Sequence, residues 1–191
     1  MQSKAFNSEN LSQNKSFQQI LHNNLKMQED ITEYLRGLSK EEAQEVLLKL
    51  RNIDFNNVSE DKVNEVTSLL GYKSIEEFNI FVNEQGRLSN QIAKAFPQIF
   101  ELSVSEREEV VSKAVTDLGV YEKYASKSKI AYFECHKGKY IACGAVVEGT
   151  LAGALIACIS AGPFYGACAG AATLAAVGGI AMCYFDYLED C

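Results

Sequence analysis

The first 134 residues of this 191-residue chain contain no cysteine, and the whole chain has two histidines and no tryptophan. The one histidine of that stretch, His22, therefore has no thiol beside it for nucleophilic or zinc chemistry. Its acidic pairs, such as Glu41/Glu42 and Glu108/Glu109, fall in the first turns of expected helices. Negative charge there meets the positive end of the helix dipole, so these carboxylates read as structural rather than catalytic. Basic charge is scarce as well: 18 Lys and Arg stand against 25 Asp and Glu, for a net charge of −7 and no basic cluster. That argues against a nucleic-acid partner and against simple electrostatic capture by anionic lipid. Residues 1–24 also lack a hydrophobic signal core; either a leader has been removed, as the polar, exposed-looking start suggests, or export uses a signal that hydropathy does not show.

What is present falls into two unlike parts. Residues 1–13 are rich in Ser, Asn and Gln and are expected to be disordered. Residues 14–125 are charged, and their apolar positions recur at helical spacing, for example Phe78, Phe81 and Val82, or Val110, Val111, Ala114 and Val115. Ser39-x-x-Glu42, Ser74-x-x-Glu77 and Ser105-x-x-Glu108 each fit a capping box. A further helix is predicted to begin near Ser59 and to stop at Gly71, which supplies a left-handed cap without a Cβ penalty. Five or six short helices forming a small acidic bundle are expected here. Residues 126–134 read as a linker with a candidate cleavage site, since exposed linkers are where chains are nicked.

All six cysteines lie in 135–191, at Cys135, Cys143, Cys158, Cys168, Cys183 and Cys191. The intervals are 8, 15, 10, 15 and 8, the same in both directions, and the midpoint is Pro163. Proline lacks an N–H and disfavours helix in the residue before it, so a turn at Gly162-Pro163 is predicted. Two antiparallel helices folded at that point bring each cysteine level with its mirror image. The expected bridges are Cys135–Cys191, Cys143–Cys183 and Cys158–Cys168, one of 15 connectivities open to six cysteines. No CxxC pair exists, which argues against structural zinc. His136 beside Cys135 makes a poor nucleophile pair, because sequence neighbours seldom oppose one another in space. No catalytic residue, metal or cofactor is expected.

Between Ile141 and Phe185 the only charged side chain is Glu148. Each arm of the hairpin is thus close to the roughly 20 apolar residues that cross a bilayer core. Gly149-x-x-x-Gly153 and Gly166-x-x-x-Gly170 place two glycines one turn apart on each arm and predict a close helix–helix seam. Glu148 is costly in hydrocarbon, so it should face a partner, a water-filled lumen or the aqueous surface. The expected fold is all-α: an N-terminal small helical bundle plus a C-terminal disulfide-stapled antiparallel helical hairpin.

The run C-x7-C-x14-C-x9-C-x14-C, within CHKGKYIACGAVVEGTLAGALIACISAGPFYGACAGAATLAAVGGIAMC, resembles the cysteine-rich, Gly/Ala-rich peptides of halocin C8-like bacteriocin precursors. The layout of a helical pro-region followed by a toxic peptide also resembles the sporulation-delaying protein toxins. The resemblance implies a secreted antimicrobial precursor. Residues 1 to about 130 would be the pro-region or immunity module and about 131–191 the killing peptide, by what that family implies. The expected partners are a target-cell membrane or a membrane receptor, with oligomers on the membrane and the N-terminal domain as intramolecular cover. Two other readings stay open: a two-pass membrane protein with a soluble helical domain, and a non-toxic disulfide-bonded all-α interaction protein.

Overall fold

The computed structural model describes residues 5–53, 60–119, 143, 147, 150–156, 158 and 165–190. Among them are seven α-helices: α1 (Ser8–Ser12), α2 (Lys15–Arg36), α3 (Lys40–Arg51), α4 (Glu60–Leu69), α5 (Ile75–Ala95), α6 (Val104–Leu118) and α7 (Tyr165–Asp190). A 3-10 turn, Pro97–Phe100, joins α5 to α6. Residues 150–156 are helical as well, and no strand occurs among the described residues. The all-α class and the stapled C-terminal hairpin are as the sequence predicts.

Local chemistry sets the helix starts. Asn14 caps α2 by accepting from the backbone N–H of Ser16 at 2.9 Å and of Phe17 at 3.1 Å. Ser39 and Glu42 complete a reciprocal capping box on α3. At α5 the box is half formed: Ser74 accepts from Glu77 N, while Glu77 Oε2 accepts from Lys73 N at 3.0 Å. The box expected at Ser105/Glu108 is corrected to Ser103/Glu106, which satisfies the same pattern two residues earlier. That start gains two helical residues while still satisfying the free N–H groups of the first turn. Gly71, at φ 84°, follows α4 in the left-handed conformation expected of it.

The N-terminal stretch departs from expectation. Within the segment expected to be disordered, Asn7 caps α1 and Leu11 is fully buried. Phe6 meets Phe96 edge-to-face at 5.8 Å, and α1 packs on α6. Two apolar anchors are enough to fix a short polar helix on a preformed surface, where composition alone suggests disorder.

Helices α2 and α5 run antiparallel, since Ser16 reaches Gln91 near one end and Asn23 reaches Gln85 further along. Against both lies α7, which also touches α3 and α4. Phe17, Ile20, Ile31 and Leu35 of α2 are buried, as are Phe78, Val82, Leu88 and Ile92 of α5. They share one hydrophobic cluster with Leu174, Val177, Ile180 and Ala181 of α7 and with Leu151, Leu155 and Ile156 of the preceding arm. Buried side chains from 14–125 and from 135–191 therefore form a single core. Each large one contributes about 1.5–3 kcal/mol over its exposed state.

Candidate functional site

Among the described residues the hairpin is closed by two disulfides, Cys143–Cys183 and Cys158–Cys168, with Cα–Cα separations of 5.8 and 5.6 Å. Both are mirror pairs about position 163. A third contact obeys the same register without any cysteine. A Cβ built on Gly179 would lie 3.1 Å from Val147 Cγ2 and 3.3 Å from Val147 Cγ1. Residues 147 and 179 are mirror images as well, each one helical turn inward from the outer bridge. The arms thus keep one antiparallel register from the outer bridge to the inner one. Cys158 and Cys183 are buried in the core, whereas Cys143 and Cys168 are half-buried.

Two of the four glycines expected at the seam, Gly153 and Gly170, have described surroundings, and neither is in close contact with the other arm. At Gly153 the neighbour of an added Cβ is Glu108 Cγ of α6, at 3.8 Å, an ordinary contact with the N-terminal bundle. At Gly170 no atom of the described residues lies within 4 Å. Neither position is a tight arm-to-arm seam; Gly179 is. The GxxxG spacing marks glycines that fall on one helix face, but which face meets the partner is set by the disulfide register. Cys135, Cys191, Glu148, Gly149, Gly162, Pro163 and the surroundings of Gly166 lie outside the described residues.

Sequence reasoning missed a buried polar layer. Asn24, Gln28, Gln85, Ser89 and Thr173 are all shielded from solvent at the α2, α5 and α7 faces. Gln85 Nε2 donates to Asn24 Oδ1, and Asn23 Nδ2 donates to Gln85 Oε1 at 3.2 Å. The Asn24 amide nitrogen, the Ser89 hydroxyl and the Thr173 hydroxyl have no hydrogen-bond partner among the described residues. Such groups cost about 1–3 kcal/mol each when left unsatisfied. A signal was present: Asn24 and Gln28 sit at core phase in α2, between Ile20 and Ile31.

Two of the carboxylates, Glu42 and Glu106, serve helix starts. Backbone N–H donation from Ser39 at 2.8 Å, then its hydroxyl, holds Glu42 below the ordinary carboxylate value. The Ser103 hydroxyl at 2.6 Å, then its N–H at 2.8 Å, does the same for Glu106. His22 is exposed. Among the described residues no group of three or more His, Cys, Asp or Glu side chains is placed to hold a metal ion. Among the same residues no helix is long and apolar enough to cross a membrane. The chain matches no known family model, no curated protein and no solved structure.

Proposed function

We propose that this protein is a precursor of a membrane-active antimicrobial peptide. In this reading the C-terminal stapled hairpin is the effector and the N-terminal helices are its cover. The observation that supports it is the seat of α7. A Gly/Ala-rich helix with no charged side chain from Tyr165 to Phe185, bridged by disulfides to its own preceding arm, packs against α2, α3, α4 and α5. An apolar hairpin freed from such a cover must find another apolar phase, and a target-cell bilayer supplies one. The two disulfides fit an oxidising environment. Secretion follows from the same reading, because the hairpin would have to act outside the cell that makes it.

The test uses the full chain with a specific protease site placed in 126–134. Lipid vesicles loaded with a self-quenched dye are exposed to the intact and the cleaved protein, both oxidised. Leakage that rises on cleavage, and falls again when excess 1–125 is added back, is the expected result. Vesicles equally tight to both forms would remove membrane disruption as the mechanism.

A further inference from the structure

A second candidate site lies away from the hairpin, where α2 passes the turn between α4 and α5. A cavity of about 220 Å³ opens there, with Tyr34, Tyr72 and Phe81 among its walls and Lys26, Asp30 and Glu77 among its polar groups. Three neighbouring turns of α2 supply Lys26, Asp30 and Tyr34, a spacing that keeps them on one face. Gly71 makes the wall: at φ 84°, a Cβ on it would overlap the ring of Tyr34, so only glycine lets that ring lie across the turn. Tyr72 is fixed edge-to-face on Phe78 at 5.6 Å. Its phenol is pushed well above the ordinary value of 10.0, by burial first and then by the negative charge of Asp30 and Glu77. Both carboxylates therefore bear on the same region of the cavity.

We propose that this cavity binds an organic ammonium ion carried on a small apolar body. Aromatic faces attract a cation through their quadrupole, and the two carboxylates outnumber the one ammonium already there. Lys26 Nζ sits 2.6 Å from Asp30 Oδ2, where it occupies the place an incoming ammonium would take. The pair is largely exposed, so its separation is inexpensive. Lys26 thus behaves as a resident competitor that a ligand displaces from Asp30. The ammonium can belong to a free amine or to a lysine side chain on a peptide; both present the same chemistry to the site.

Titration of the full oxidised protein with benzyltrimethylammonium, with capped lysine amide and with phenylacetate, followed by NMR of the tyrosine rings, tests this. The aromatic cation should shift Tyr34 and Tyr72, and phenylacetate should not. Between the two cations, the tighter one identifies the source. Asp30→Asn and Glu77→Gln should each weaken cation binding by about five- to tenfold, the scale of one charge contact. Lys26→Gln should strengthen it, which a merely structural Lys26 would not do. The proposal is overturned if phenylacetate binds in preference, if Lys26→Gln weakens the cations, or if neither cation shifts the rings at millimolar concentration. All three substitutions fall on exposed side chains, so the fold is retained in each.

Discussion

Removal of the two disulfides one at a time should expose their different leverage on the unfolded chain. Cys143–Cys183 spans a sequence separation of 40 residues and Cys158–Cys168 one of 10. Loop-closure entropy grows with the logarithm of the loop, which gives about 4 kcal/mol for the outer bridge alone and about 3 kcal/mol for the inner one alone. Nesting changes the sum. With the inner bridge closed, the path between Cys143 and Cys183 shrinks to about 30 residues, and the outer bridge then adds about 3.6 kcal/mol. With the outer closed, the inner adds about 2.4 kcal/mol. Paired Cys→Ala substitutions should therefore cost about 1 kcal/mol more at the outer bridge than at the inner. Each bridge has one buried and one half-buried sulfur, so packing losses on replacement are of similar kind. The measurement is urea unfolding under oxidising conditions, with Cys135 and Cys191 replaced by alanine in every variant so that only two bridges are compared. The urea dependence should also steepen as each bridge goes, because the unfolded chain expands. An inner bridge worth as much as the outer, or two bridges each below about 1 kcal/mol, would refute the entropic account.

Gly179→Ala gains about 1 kcal/mol of helix propensity but meets Val147 at 3.1 Å, so it should be neutral or destabilising in the native sequence. In a Val147→Ala background the same change should stabilise, and a double-mutant cycle by thermal unfolding reads the coupling; additivity would disprove the contact. Asn24→Leu alone should cost about 1–3 kcal/mol because it leaves Gln85 buried without its acceptor. The Asn24→Leu/Gln85→Leu pair should recover most of that loss in urea unfolding, and an equal or larger loss in the pair would contradict it. Glu42 and Glu106 have folded pKa values below the ordinary 4.5, so their contribution is full above that value and lost as pH falls through the lowered ones. Carbon-13 NMR of the side-chain carboxyls should show both titrating below the ordinary glutamate value, and midpoints at that value would argue against the capping bonds.

Much of the architecture was readable from local pattern, and the reasons are specific. The Ser39/Glu42 box, the Gly71 stop and the spacing of Phe78 and Val82 involve groups a few residues apart, so chain geometry alone brings them together. The bridges Cys143–Cys183 and Cys158–Cys168 were also readable, because a hairpin turns sequence symmetry into spatial register. The choice between Ser103 and Ser105 as cap was not, since both satisfy the same four-residue pattern.

The candidate site divides in the same way. Sequence identified the apolar, cysteine-bearing arms and placed their seam at Gly149, Gly153, Gly166 and Gly170; of these, Gly153 and Gly170 have described surroundings, and neither meets the other arm closely. The observed close approach at Gly179 depends on how far each helix is rotated about its axis, which spacing within one arm does not specify. The cavity beside Tyr34 and Tyr72 joins residues from α2 and from the turn after α4, some 40 positions apart, so no local motif announces it.

By itself, the sequence determined an all-helical chain and a folded-back cysteine hairpin, because capping, periodicity and mirror spacing are properties of neighbours along one strand of chain. Only the tertiary structure decided that the hairpin and the acidic helices share one core, with α7 laid against α2 and α5 and a polar layer between them. Burial is a relation between faces of separate helices, and an amphipathic face states that it will be covered without stating by what.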